Sequence, residues 1–147
     1  MNERHIDIFI RSLQHYFKQI SPAHVEIGVP YLIDETVEVD SEFTGIIEIS
    51  GNYKGSCYFT APKSLLTEII HAVGDDNQSN EMLRDTVGEV ANILSGNAQS
   101  ELGQGFIISP PKVYHGKNSA QAFAINDTYA IPVHWRDRRA HLCVTVD

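Results

Sequence analysis

The sequence predicts an α+β fold, a single-layer antiparallel or mixed β-sheet with about three helices packed on one face. Two observations carry that prediction. The hydrophobic period runs helical, then alternating, then helical twice, then alternating again, an order of one helix, several strands, two helices and several strands. The length of 147 residues, with 42% hydrophobic residues and no biased tract, suits one core and one domain spanning residues 1–147.

The first helix is read from Ile6, Ile8 or Phe9, Ile10, Leu13, Phe17 and Ile20, which give a helical stripe, and it stops at Ser21-Pro22. From Val25 to Thr60 the pattern turns to alternation and β-branched runs, with Gly51-Asn52-Tyr53-Lys54-Gly55 as the turn between strands at 45–50 and 56–60. Pro62 opens a second helix in its first turn, and Gly74 ends it. Asp75-Asp76-Asn77-Gln78-Ser79 is a polar loop, after which a long helix starts near Asn80 and ends at Gly103. Strands follow at 105–109, 120–126, 129–134 and 140–146, with Pro110-Pro111 turning the chain out of the first.

The long helix holds the most specific feature. Leu83, Val87, Val90, Leu94, Ala98 and Leu102 form a stripe that faces a core. Asp85, Glu89, Asn92, Gly96 and Gln99 recur at three- and four-residue steps and form a second stripe of acid, amide and bare backbone. A helix face built for solubility would carry Glu and Lys, whereas Asn and Gly are poor helix formers. On periodicity alone an ordinary solvated face is the commoner explanation of the stripe, since any helix of this length has a polar face. Gly88 and Gly96 fit either close packing or the approach of a partner. The chemistry on offer is positioning. A carboxamide presents a donor and an acceptor from one rigid group, so Asn92 can hold a water in line with an electrophile, and in phosphoryl transfer such positioning is much of what a protein supplies. Glu89, one turn away, can pair with a lysine on a partner, while Gly96 leaves no side chain to obstruct an incoming loop.

Composition narrows the partners. A net charge of −8 argues against general binding to a nucleic-acid backbone. No apolar stretch reaches bilayer length and no signal-peptide core is present, so a cytoplasmic protein without a membrane partner is expected. Cys57 and Cys143 lie in apolar strand-like runs and read as small buried hydrophobes. The seven histidines are scattered without ligand spacing, so no metal site is expected. His134-Trp135-Arg136-Asp137-Arg138-Arg139 is the basic cluster, read as a solvated hairpin loop or a surface for an acidic partner. An exposed edge among the C-terminal strands would suit a dimer contact.

The pattern Asp85-x3-Glu89-Val90-x-Asn92-x3-Gly96-Asn97, with Ile108-Ser109-Pro110-Pro111-Lys112-Val113 downstream, resembles the CheC/CheX/FliY family of bacterial chemotaxis phosphatases, its CheX branch most of all. The resemblance runs over essentially the whole chain, and one motif is present where CheC-type members carry two. It implies a homodimer that binds a phosphorylated CheY-type response regulator. Asn92 would align water against the aspartyl phosphate, Glu89 would anchor the regulator, and Asp85, Gly96 and Gln99 would line the contact. No cofactor is then expected on this chain, since the Mg²⁺ would belong to the regulator. Two other classes stay open: a non-catalytic signalling module using the same face, and an autonomous hydrolase of small phosphoesters, for which no nucleophile turn is evident.

Overall fold

The computed structural model describes residues 2–33, 41–116 and 127–146. Helix α1 (Glu3–Ile20) begins where the Asn2 side chain accepts a hydrogen bond from the His5 backbone N–H, and it ends at Ser21, whose N–H donates to the Phe17 carbonyl. Two short strands follow, β1 (Val25–Ile27) and β2 (Tyr31–Leu32). The hairpin of β3 (Phe43–Gly51) and β4 (Gly55–Ala61) closes through Gly51 and Gly55 at φ 89° and 155°, backbone that favours glycine. Helices α2 (Lys63–Ala72) and α3 (Asn80–Leu102) come next. The chain then forms β5 (Phe106–Ile108), β6 (Lys112–His115), β7 (Tyr129–Trp135) and β8 (Arg138–Val146). The strand expected at 120–126 lies outside the described residues.

All described pairings are antiparallel, in the order β1-β7-β8-β4-β3-β5, with β2 also on β7 and β6 also on β3. The mixed sheet allowed by the sequence is therefore not formed among these strands. Opposed residues in antiparallel strands share a face. Ile47, Cys57, Phe59, Val144, Leu142, Ile131, Val133 and Trp135 thus make one buried layer with Phe9, Leu13 and Phe17 of α1, Leu65 and Leu66 of α2, and Leu83, Val87, Val90 and Leu94 of α3. All three helices pack on that face. Each large apolar side chain buried there contributes about 1.5–3 kcal/mol before entropy is counted. The opposite face buries an apolar row across the sheet, Ile46, Tyr58, Cys143 and Ala130, beside Thr44 and Thr60. Both cysteines are free and buried, and desolvation pushes the Cys57 thiol up to about 12, so they pack as hydrophobes.

The approach of α3 to the sheet depends on glycine. A Cβ on Gly45 of β3 would stand 2.6 Å from the Val87 carbonyl oxygen and 3.1 Å from the Gly88 Cα. Strand and helix backbones meet there with nothing between them.

Two local expectations are corrected. Pro62 is the N-cap of α2 rather than part of its first turn, since its extended ψ of 159° precedes the helix. The basic cluster is not a solvated loop: β7 runs through Trp135, β8 starts at Arg138, and only Arg136 and Asp137 form the turn. Of the strands after α3, β7 and β8 are internal, whereas β5 and β6 pair only with β3 among the described residues, so the edge of the sheet on that side lies at β5 and β6. Among the described residues no helix is long and apolar enough to cross a membrane.

Candidate functional site

Helix α3 is set by its start. The Asp75 carboxylate accepts from the N–H groups of Asp76 and Asn77, the Asn77 side chain accepts from Ser79 N–H, and the Ser79 hydroxyl accepts from Met82 N–H at 3.2 Å. These bonds turn the polar loop into a fixed N-cap. The helix then runs 23 residues without a break and ends at Gly103, whose φ is 93°.

Its apolar stripe is buried from Leu83 through Ala98, and Leu102 packs at its margin. Thr86, Gly88, Ala91 and Ser95 are buried as well, which widens the inner face and narrows what remains outside. Asp85, Glu89 and Asn92 are exposed on the narrow outer ridge. A Cβ at Gly96 would meet nothing within 4 Å. Gln99 differs from the others: it is partly buried, and its side-chain amide donates to the Phe106 carbonyl at 2.7 Å, tying the end of α3 to β5. Gln99 belongs to the stripe by spacing, but its amide is committed within the fold.

Other elements pack against both flanks of the helix. On one side α1 runs antiparallel to α3, where the Ser12 hydroxyl donates to the Leu94 carbonyl at 2.9 Å and Arg11 meets Glu101 at 2.8 Å. Further along α1, Tyr16 is buried, and burial first, then the charge of Glu89, pushes its phenol above the ordinary tyrosine range. On the other side Gly88 leaves room for Val113 and Pro111, since a Cβ there would stand 2.9 Å from Val113 Cγ2. The Ser109-Pro110-Pro111 turn is pinned to β3, with Ser109 N–H donating to the Glu48 carbonyl and Glu48 N–H donating to the Ser109 hydroxyl, both at 2.9 Å. Lys112 faces Glu48 at 3.7 Å. Pro111 therefore both belongs to the turn and flanks the helix beside Gly88.

Glu89 and Asn92 make no side-chain hydrogen bond or ion pair among the described residues. A carboxylate and a carboxamide three residues apart, about 4.5 Å along the axis, are held outward on a rigid rod with their hydrogen-bonding capacity unspent. The site is convex, suited to entering another molecule rather than enclosing one. Among the described residues no three His, Cys, Asp or Glu side chains come together in a way that could hold a metal ion. Ser12 and Tyr16 went unread in the sequence as neighbours of the motif. Their only signal was membership of the first helix, and nothing local reveals the pairing of residue 12 with residue 94.

The family model described as chemotaxis phosphatase CheX matches residues 43–134, which hold the β3–β4 hairpin, α3 and the Ser-Pro-Pro turn. None of the curated proteins matches the chain in sequence. Among solved structures, a CheC-like superfamily protein from Shewanella sp. PV-4 is 26% identical with a TM-score of 0.83, covering 100% of this chain and 99% of that one. The chemotaxis protein CheX from Vibrio vulnificus is 21% identical with a TM-score of 0.83, covering 98% and 99%. CheX from Borrelia burgdorferi, solved as a CheX–CheY–BeF3–Mg²⁺ complex, is 20% identical with a TM-score of 0.79, covering 97% of each chain. The last two likenesses are of fold.

Proposed function

Because this chain belongs to the chemotaxis phosphatase CheX family, we propose that it accelerates hydrolysis of the aspartyl phosphate of a CheY-type response regulator, using the outer ridge of α3. The observation that carries this reading is the pair Glu89 and Asn92, exposed, unpaired and one turn apart on a helix fixed at both ends. The CheX of the same fold that was solved with CheY supports the choice of partner.

In this mechanism Asn92 enters the regulator's site and its carboxamide oxygen accepts a hydrogen bond from a water, turning a lone pair toward phosphorus. The water oxygen bonds to phosphorus as the bond to the aspartyl oxygen breaks, leaving a free carboxylate and inorganic phosphate. Positioning of this kind supplies several kcal/mol without a nucleophile on this chain. Glu89 pairs with a regulator lysine and fixes the docking register. Asp85 extends the contact, and the bare backbone at Gly96 admits a regulator loop. Gln99 serves the same surface from within by holding the end of the ridge on β5. The Mg²⁺ that neutralises the phosphoryl oxygens belongs to the regulator. The working unit is a cytoplasmic homodimer, and a light-scattering mass of one chain at micromolar concentration would overturn that part.

The experiment is the decay of phosphoryl label from candidate CheY-type regulators with Mg²⁺, with and without this protein. Asn92→Ala should lower the stimulated rate about 100-fold or more with the fold intact, as a displaced positioning group does. Decay equal to wild type would remove Asn92 from the mechanism. The convex ridge also suits a second reading, a signalling module that binds the regulator without hydrolysis, because a fold can keep a surface after losing its reaction. Binding with an unchanged decay rate would establish that one instead.

A further inference from the structure

Glu89 and Asn92 share one ridge but face different neighbours. At about 100° per residue, Asn92 lies about 40° round the helix from Gly88, the residue turned to Val113 and Pro111, whereas Glu89 lies about 100° from it, toward the flank where Glu101 meets Arg11 of α1. The Ser12–Leu94 bond fixes the register of the two helices. Because they run antiparallel, one turn on from Ser12 brings Tyr16 beside Val90, next in sequence to Glu89. The effect of the Glu89 charge on the Tyr16 phenol agrees with that placement.

Tyr16 carries a group the fold does not use. Its side chain is buried, with 6% of the residue exposed, and its ring stands edge-on to Phe17 at 5.2 Å. A phenylalanine would pack there as well, as Phe17 does beside it. The hydroxyl makes no hydrogen bond among the described residues, yet it is not one of the polar atoms sealed from water without a partner, so it reaches solvent. Burial and the nearby charge keep it protonated, which leaves a neutral oxygen close to an unpaired carboxylate. Further along the same seam a groove of about 460 Å³ opens between the helices, lined by Ser12, His15 and Asn97 among others, so this flank is open to an approaching surface.

Docking over the ridge shuts water away from both groups, and a hydroxyl left without a partner at an interface is costly. A lysine meets the pair, for its ammonium has three donors and no acceptor, while a carboxylate and a phenol oxygen both accept. Resting on the function proposed above, we propose that Tyr16 is the second contact for the regulator's lysine, whose ammonium donates to the Glu89 carboxylate and to the Tyr16 phenol oxygen. Glu89 supplies charge and Tyr16 supplies direction, since two acceptors from two helices fix where a flexible lysine ends. Tyr16 thereby sets which regulators fit and takes no part in the step at phosphorus.

Candidate CheY-type regulators are measured for binding in their beryllofluoride form with Mg²⁺, and for stimulated decay of the phosphorylated form. Tyr16→Phe removes one oxygen and keeps the ring. Its unfolding midpoint should match wild type, the half-saturating concentration should rise about fivefold or more, and the maximal stimulated rate should stay within about twofold. In Glu89→Ala, where the lysine has lost its main anchor, adding Tyr16→Phe should weaken binding by less than about twofold further, the coupling expected of two groups on one partner. Binding by Tyr16→Phe equal to wild type, a loss of maximal rate at unchanged half-saturation, the full loss repeated in the Glu89→Ala background, or a lowered unfolding midpoint would each overturn the proposal. A wild type that binds without accelerating decay removes the phosphatase reading and leaves the binding comparison to decide on Tyr16. A wild type that binds no regulator removes both.

Discussion

Gly88 and Gly96 lie eight residues apart on α3 and serve opposite ends. Gly88 is buried where the helix meets Val113 and Pro111, and it lies over Gly45 of the sheet; Gly96 opens onto empty space. The first lets the helix come down onto its own fold. The second leaves open space, which in the proposed function admits a loop of the regulator. Glycine in the interior of a helix costs roughly 1 kcal/mol relative to alanine, so both are kept against local preference, and only the surroundings tell the two reasons apart. The inner glycine serves packing, and the outer one, in the function proposed above, serves recognition.

Substitutions can break that distinction. The largest effect should come from the partner of the inner contact. Gly45→Val puts branched carbon where the Val87 carbonyl oxygen already stands 2.6 Å from the first added atom, and two backbones cannot give way as a flexible side chain can. Urea unfolding should show a loss of about 3 kcal/mol or more, at the upper end of overpacking costs. An unaltered midpoint would mean that α3 does not rest on β3 as described. Next comes Gly96→Leu, which should leave the unfolding midpoint nearly unchanged while lowering stimulated regulator decay at least tenfold; full activity in this variant would place the docking surface elsewhere. Smallest is Gly96→Ala, expected to stabilise the protein by about 1 kcal/mol through helix propensity alone. A destabilised Gly96→Ala would show that the site is not open after all.

The sequence made the long elements legible and the contacts between them far less so. The bounds of α3 could be read closely because Ser79 and Gly103 act through local hydrogen bonds and local backbone preference, and the β3–β4 turn was legible for the same reason at Gly51 and Gly55. A sheet either antiparallel or mixed, with helices on one face, followed from the order of periods, and the pairings among the described strands chose the antiparallel form. Strands β1 and β2 escaped because three and two residues carry no period, and they exist only by pairing with β7. In the candidate site, periodicity put Asp85, Glu89, Asn92, Gly96 and Gln99 on one stripe, and the structure keeps that stripe. It could not foresee that Gln99 would spend its amide on Phe106, nor that Tyr16 would lie under the field of Glu89. Both depend on which distant segment comes to rest beside the helix, and spacing within the helix carries no record of that. The basic run at residues 134–139 misled for a related reason: polar composition suggested a loop, while pairing with Ala140 and Val133 on either side drew most of it into strands.

The uninterrupted course of α3 makes it behave like a reading frame. Each residue advances the helix by about 100° and 1.5 Å. One residue inserted between Glu89 and Asn92 would swing everything beyond it by that angle, turning Asn92 away from Glu89 and pulling Gln99 away from Phe106 at once. Exchanges of side chain along the ridge alter one contact each, but a change of length alters all of them together. Insertions and deletions are therefore confined by geometry to the segments outside this helix, and its length between Ser79 and Gly103 is itself part of the site.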